Sequence, residues 1–290
     1  MKRPLRRTWG LREWSMLGLL LGVAAWAHRT ALADIAVIAW GSEEQSHILL
    51  VPFVAGWLVW LRRSRLHSLR VAPSLWGPLI ITAGWVLSWA GIQLEVQAAW
   101  HAGALITLLG CMVCLSGLAP IVQFLPVFIA LLFVIPVPGT IRLAIAQPLQ
   151  AMATSVTQSM LELLGMPVTR LGNVLLIHGQ QVAVGEACNG MRMVFALGLV
   201  VYAFAFSLPL RPGVRATLLL LSPVAALVSN VIRLIPTTLF FGYGTIEHAQ
   251  VFHDAAGWVM LPVALLMLVG VLKMIRWIEL PVMSFRLAMP

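Results

Sequence analysis

Long apolar stretches that contain almost no charged side chains restrict this chain more than any other sequence feature. Between positions 215 and 241, for example, the only charged residues are Arg215 and Arg233. About 20 consecutive apolar residues in a helix are enough to cross the hydrocarbon core of a bilayer. Charged residues make up only 10% of the 290 residues, against about 25% in soluble proteins. The sequence therefore predicts an all-α polytopic membrane protein.

Eight transmembrane helices are predicted from the apolar stretches and the breaks between them. They cover about residues 14–27, 48–61, 75–93, 98–117, 120–136, 189–209, 215–241 and 254–272. Residues 34–47 and 242–251 are then extracytoplasmic loops. The first helix follows a basic N-terminus, as a signal peptide does, but the many later spans favour an uncleaved helix. We expect one integral membrane domain, 1–290.

The lysines and arginines set the orientation of these helices. Cytoplasmic loops carry an excess of positive residues, and this topology assigns fourteen of the 19 to the cytoplasm: Lys2, Arg3, Arg6, Arg7, Arg12, Arg62, Arg63, Arg65, Arg70, Arg211, Arg215, Lys273, Arg276 and Arg286. Both termini are therefore predicted to be cytoplasmic, in a chain that crosses the cytoplasmic (inner) membrane. The same bias explains the net charge of +9 without a nucleic-acid partner.

Two segments are not predicted to be clean spans. Residues 140–165 carry regularly spaced apolar residues among glutamines and threonines, which indicates an amphipathic helix at the membrane interface. Residues 167–186 contain β-type runs on both sides of His178-Gly179-Gln180, which predicts a small extracytoplasmic hairpin. The hairpin would directly precede Cys188.

Three polar residues from three successive helices are predicted to lie at one face of the membrane. Cys188 is at the outer start of the sixth span, Arg233 in the outer third of the seventh and His253 at the outer start of the eighth. A thiolate is a nucleophile, an imidazole transfers protons near neutral pH, and a guanidinium stabilises a developing oxyanion. This set suits acyl transfer at the outer face.

Each of these residues also has a structural interpretation. A lone cysteine in a membrane helix usually packs as a small apolar residue, an arginine can pair with a carboxylate or a lipid phosphate, and a histidine can cap a helix. From the residues alone, a peptidase or acyl-transfer site therefore competes with a non-enzymatic transporter or a scaffold for lipid-linked polysaccharide export. A transporter is expected to carry its polar residues near the midplane.

Other candidate residues are weaker. Cys111 and Cys114 have redox or zinc spacing, but their apolar surroundings favour packing. His47, in an acidic outer loop, would line the site or face water, and Glu186 would orient His253 or Arg233 or face water. The chain has no phosphate loop and no zinc-protease motif, so no cofactor and no metal is predicted.

The polar motifs resemble the exosortase/archaeosortase family. Residues 186–192 spell Glu-Ala-Cys-Asn-Gly-Met-Arg, residues 230–233 have the pattern Asn-x-x-Arg, and residues 253–258 have the pattern His-x-x-x-Gly-Trp. The Ser-His and Leu-Val-Pro of residues 46–52 and the Pro-Val-Pro break of residues 133–138 are also similar to the family. The resemblance covers about 35–278, which is the expected catalytic core.

The resemblance implies a membrane cysteine transpeptidase that processes exported proteins with C-terminal sorting signals of the PEP-CTERM kind. Such a substrate ends in a short motif, a transmembrane helix and a basic tail. When the family's roles are carried over to the matching positions of this sequence, the resemblance implies that Cys188 is the nucleophile, Arg233 the catalytic arginine and His253 the proton-transfer residue. The molecule that accepts the cleaved chain is an unknown amine or water. Membrane lipids are expected to surround the protein.

Five further residues are expected to support the site or bind substrate: Arg192, Asn230, Glu186, Asn189 and His47. Arg192 follows Cys188 by one helical turn, where its charge would lower the pKa of the thiol. Asn189 stands where many members of the family have serine, which leaves the chemistry unchanged.

The predicted orientation can be tested with a thiol-reactive probe that does not cross membranes. We expect the probe to label Cys188 from the outer side of intact cells and not from the cytoplasmic side of inverted vesicles. The matched control is Cys188→Ala, which retains the other two cysteines and should lose the outer label. Labelling from the cytoplasmic side alone would reverse the topology.

Overall fold

A computed structural model of the chain describes residues 9–67, 69–184 and 190–277. It is 79% helical, which confirms the predicted all-α class. The chain divides into two compact units, Met1–Pro138 and Gly139–Pro290. The assignment of all 290 residues to one domain stays a prediction.

The first unit contains eight described helices. They are α1 (Leu11–Ala27), α2 (Arg29–Gly41), α3 (Val51–Leu61), α4 (Arg63–Leu66), α5 (Trp76–Gln93), α6 (Gln97–Ser116), α7 (Ala119–Gln123) and α8 (Leu125–Leu131). A 3₁₀ turn at Ser46–Leu50 leads into α3, and another at Leu132–Val134 follows α8. Pro52, Pro120 and Pro126 lie in the first turns of α3, α7 and α8, where a missing N–H costs no helical hydrogen bond.

Helices α5 and α6 form a hairpin in which glycines let the two backbones touch. A β-carbon added at Gly84 would lie 2.6 Å from Oγ1 and 2.7 Å from the backbone nitrogen of Thr107. Gly77, seven residues earlier and on the same face of α5, lies against Cys114 in the same way. Small residues at such contacts allow the close van der Waals packing that holds helices together where the hydrophobic effect is weak.

The second unit combines four helices with a small sheet. Its elements are α9 (Gly139–Leu163), β1 (Val168–Leu171), β2 (Val174–Ile177), β3 (Gln180–Ala183), α10 (Met191–Ser207), α11 (Pro212–Tyr243) and α12 (Ile246–Trp277). The strands form an antiparallel sheet in the order β1-β2-β3. Leu175 and Ile177 of β2 are buried in a cluster with Leu161 of α9 and Leu234 of α11.

Length and apolar composition allow two of the described helices, α6 and α11, to cross a membrane. Three more pairs of helices, each bent at a short break, would bring the number of spans to five if each pair counts as one. Eight spans stay a prediction. The segment predicted as an amphipathic helix is helical as α9, and its position at the membrane interface also stays a prediction.

Strands occupy the segment that was predicted as a two-stranded hairpin. The two predicted strands correspond to β2 and β3 on either side of His178-Gly179, and the structure has a third strand, β1, that was not predicted. A second two-residue turn joins β1 to β2, with Leu171 opposite Val174. The extracytoplasmic location of the sheet stays a prediction.

The predicted loop over residues 34–47 is wrong in its first half, because α2 continues to Gly41. The predicted loop began at Asp34, which lies within α2. Its Oδ2 accepts hydrogen bonds from Nε2 of Gln97 at 2.7 Å and pairs with Nε2 of His101 at 2.9 Å. Side chains of α6 thus satisfy a carboxylate that lies within a helix.

The predicted loop over residues 242–251 is also too long, because α12 begins at Ile246. The hydroxyl of Thr245 accepts a hydrogen bond from the backbone N–H of His248 at 3.4 Å, as an N-cap residue does. No proline or glycine interrupts the helix before Gly257. His253 therefore lies in the second turn of α12 rather than at its start.

The close packing of α5 on α6 predicts that Gly84→Ala is destabilising. The methyl group would force the helices apart at a cost of about 1–3 kcal/mol, more than the ~1 kcal/mol that alanine gains over glycine in a helix. We expect a lower unfolding temperature for the detergent-solubilised full-length chain. Gly18→Ala in α1 is the matched control, since a β-carbon there meets nothing within 4 Å. Equal effects of the two substitutions would contradict the close contact.

Candidate functional site

Arg233 and Asn230 form a buried polar pair on α11. Arg233 is 5% exposed and Asn230 is 0% exposed. The two residues are three positions apart, so they share one face of the helix, and Nη2 of Arg233 donates a hydrogen bond to Oδ1 of Asn230 at 3.1 Å. The amide is uncharged, so this bond orients the guanidinium without neutralising its charge.

The start of α10 lies against Asn230. Gly190 precedes α10 with a φ of 81°, in the left-handed region where glycine avoids the strain of a side chain. A β-carbon at position 190 would lie 3.3 Å from both Cγ and Nδ2 of Asn230. The glycine thus brings the entry into α10 directly onto the residue that orients Arg233.

Helix α12 approaches Arg233 from another direction. A β-carbon at Gly257 would lie 3.4 Å from Nη1 of Arg233. His253 is one turn before Gly257 and shares its face of α12, and it is half-buried. The neighbouring Phe252 packs on Phe240 of α11 with ring centroids 4.8 Å apart. Helices α10, α11 and α12 therefore meet at the Asn230–Arg233 pair.

This arrangement supplies a positive charge that is shielded from solvent and fixed in orientation. A guanidinium keeps its proton in proteins, so it acts as an electrostatic group rather than as an acid. Preorganised donors in a low-dielectric site stabilise developing negative charge far better than they would in water. A carbonyl oxygen that becomes an oxyanion is the group that such a site suits.

A protein-family profile described as transmembrane exosortase (Exosortase_EpsH) matches residues 40–270, which is more than half of the chain. The chain belongs to the transmembrane exosortase family. No curated protein and no solved structure matches it. Family membership and the apolar helices together identify a membrane protein. The matched range includes all three motifs on which the resemblance was based.

The remaining predicted site residues of this exosortase-family chain are placed as follows. Cys188, Glu186 and Asn189 lie outside the described residues. Arg192 is half-buried in the first turn of α10. His47 is buried in the 3₁₀ turn before α3, in the first unit. Among the described residues, no group of three or more His, Cys, Asp or Glu side chains is arranged to hold a metal ion.

Two glycines contribute to the site in a way that the sequence analysis did not assign. Gly190 and Gly257 were quoted only as parts of motifs, but each lets a helix backbone approach the Asn230–Arg233 pair. The signal was present in the sequence, since one glycine follows Cys188 by two residues and the other follows His253 by four. Residue type alone does not show which side chain such a glycine accommodates.

The Asn230–Arg233 bond predicts that the acceptor oxygen matters more than the shape of the side chain. Asn230→Leu keeps a similar volume but removes the acceptor, at a cost of about 1–3 kcal/mol for a buried polar group. Asn230→Asp keeps the oxygen and adds an opposite charge beside Arg233. We expect Asn230→Leu to unfold at a clearly lower temperature in detergent than Asn230→Asp. The reverse order would show that Arg233 does not depend on this acceptor.

Proposed function

We propose that this chain is a membrane-embedded cysteine transpeptidase that cleaves C-terminal sorting signals of exported proteins. The observation that carries the proposal is the buried pair of Arg233 and Asn230. Two helices approach this pair: α10, which begins three residues after Cys188 in the sequence, and α12, which carries His253. Family membership points to the same class of reaction.

The spacing of Cys188 from Gly190 supports its assignment as the nucleophile. Two residues of extended chain cover at most about 7 Å, and Gly190 lies against Asn230. Under this proposal the Cys188 thiol acts beside the guanidinium of Arg233, and the two-residue spacing between Cys188 and Gly190 is consistent with that role. Arg192 adds a second positive charge two residues after Gly190, and nearby positive charge favours the thiolate over the thiol.

The proposed reaction begins with attack of the Cys188 thiolate on the carbonyl carbon of the scissile peptide bond. The carbonyl π electrons move to oxygen, and Arg233 stabilises the resulting oxyanion. When the tetrahedral intermediate collapses, the C–N bond breaks and His253 donates a proton to the leaving amine. The substrate chain is then held as a thioester, and the C-terminal tail departs.

The second half of the reaction regenerates the thiolate. An amine acceptor, or water, attacks the thioester carbonyl while His253 removes a proton from the incoming nucleophile. The C–S bond then breaks and releases the product. An amine gives transpeptidation and water gives hydrolysis, so the acceptor alone decides between these outcomes.

The proposed substrate is an exported protein that ends in a short motif of the PEP-CTERM kind, a transmembrane helix and a basic tail. Its helix would dock sideways against the bundle, with the motif at the outer face of the cytoplasmic membrane. This geometry agrees with the predicted eight-span topology, in which residues 188, 233 and 253 would lie at the face opposite the basic loops.

Replacement of the nucleophile tests the proposal directly. We expect Cys188→Ala to abolish tail removal from a tagged reporter protein that carries such a signal and is co-expressed with the full-length chain. Cys114→Ala is the matched control, since Cys114 is a free thiol that packs against Gly77, and it should process the reporter normally. Unchanged processing by Cys188→Ala would exclude this residue as the nucleophile.

The role of Arg233 is tested by Arg233→Lys, which keeps the charge and loses the planar fork of donors. Loss of one oxyanion donor typically slows catalysis by about 10²–10³-fold, and we expect a reduction of that size in the rate of reporter processing. Arg211→Lys, in the turn before α11, is the control and should keep the wild-type rate. Full activity of Arg233→Lys would remove the oxyanion role from this residue.

A further inference from the structure

Strand β3 is an edge strand with backbone groups directed away from the sheet. The N–H of Val184 donates to the carbonyl of Asn173 at 2.9 Å. Along an antiparallel strand, every second residue directs its backbone N–H and C=O groups toward a given neighbouring strand. The backbone groups of Val182 and Gln180 therefore also point toward β2. The N–H and C=O groups of Gln181 and Ala183 therefore point outward. Both residues are exposed, and within the described part of the chain neither makes a backbone hydrogen bond on that side.

Both ends of this edge are fixed. At one end, His178 and Gly179 have φ values of 52° and 79°, as a two-residue turn of the twisted hairpin type requires. The ring of His178 lies 5.0 Å from that of Tyr243 at the end of α11. At the other end, the side-chain amide of Gln150 in α9 donates to the carbonyl of Val184. The outward groups therefore have a defined register.

The edge of β3 is short but has no charge, proline or bulge within residues 180–183 to prevent strand pairing. Natural edge strands are protected by charges, prolines or bulges, whereas residues 180–183 are Gln-Gln-Val-Ala. The opposite edge of the same sheet is protected. Pro167 directly precedes β1, and Arg170 within it folds back so that its Nε donates to the carbonyl of Gly172 at 2.6 Å. The contrast indicates that the β3 edge is kept available for a partner.

We propose that the edge of β3 binds the substrate polypeptide as an added antiparallel or parallel strand next to the scissile bond. This inference rests on the proposed function, because β3 ends five residues before Cys188 in the sequence. A peptide that adds a strand is bound through its backbone, so the ligand is an extended segment of the exported protein recognised with little regard to side-chain type. Because β3 carries no charged side chain, recognition of charged residues in the substrate would depend on other parts of the enzyme.

A proline at position 181 tests the pairing, because it removes an outward N–H and leaves the bonds to β2 intact; prolines are tolerated at this kind of position. We expect Gln181→Pro to slow tail removal from the co-expressed reporter in a pulse-chase measurement, by about two- to tenfold for one lost hydrogen bond. Gln181→Thr is the matched control, since it changes the side chain and keeps the N–H, and its rate should stay within about twofold. A wild-type rate in Gln181→Pro, or equal slowing in both variants, would overturn the proposal.

A cross-linking measurement covers the case in which Gln181→Pro does not accumulate in folded form. Gln181→Cys is placed in a full-length variant with Cys111, Cys114 and Cys188 changed to alanine, and single cysteines are placed along the reporter segment. Side chains alternate between the two faces of a strand, so disulfides should form most strongly at the reporter position opposite residue 181, and its two immediate neighbours, whose side chains lie on the other face, should not react. Cross-linking at all positions equally, or at none, would contradict strand addition.

The two proposals fail in different ways. If Cys188→Ala still processes the reporter, the proposed transpeptidase mechanism is wrong, whatever the Gln181 variants do. If Cys188→Ala is inactive and Gln181→Pro processes at the wild-type rate, the mechanism stands and only the strand pairing is wrong.

Discussion

Three helices of the second unit meet at the buried polar pair of Asn230 and Arg233. A charged group inside an apolar bundle is costly, and it persists only where neighbouring groups hold it and where the chain has a use for it. Asn230 provides the hydrogen bond that orients Arg233. Both residues are on α11, so helical spacing alone brings their side chains within reach of each other. Helices α10 and α12 both come close to this pair.

Glycine provides that approach at both contacts, and the first unit uses glycine for a different purpose. On α5 and α6, Gly77 and Gly84 are seven residues apart and hold two backbones together along a continuous stripe. In the second unit, Gly190 and Gly257 are isolated, and each faces a polar side chain rather than another helix backbone. The same residue type therefore serves packing in one unit and the surroundings of a charged group in the other.

Much of the helical architecture was predictable from local sequence, because long apolar stretches without breakers leave few alternatives. Helix α11 and the Asn-x-x-Arg pair on it follow from helical periodicity alone. The continuation of α2 through Asp34 was not predictable, because the partners of that carboxylate lie more than 60 residues away in α6. The early start of α12 depended on a threonine cap within a segment that looked like a loop. Strand β1 had a signal that was missed, the Gly172-Asn173 turn that joins it to β2.

The candidate site shows the same division between local and long-range information. The residue types and their predicted common depth in the membrane indicated which helices to expect at the candidate site. The actual contacts depend on how α10 and α12 cross α11, and this is set by packing across the whole unit. The contact of Gly190 with Asn230 and the contact of Gly257 with Arg233 therefore depend on the three-dimensional packing of the helices and could not be predicted from the sequence.

The two-residue turn at His178 and Gly179 limits what this chain can tolerate by insertion or deletion. Side chains and backbone groups alternate along a strand with a period of two. An extra residue that shifted the register of β3 by one position would turn the backbone groups of Gln181 and Ala183 toward β2 and turn Val182 out of the core. The length of a short turn, in which no atom needs to take part in chemistry, is thus under as strict a constraint as the identity of a buried side chain.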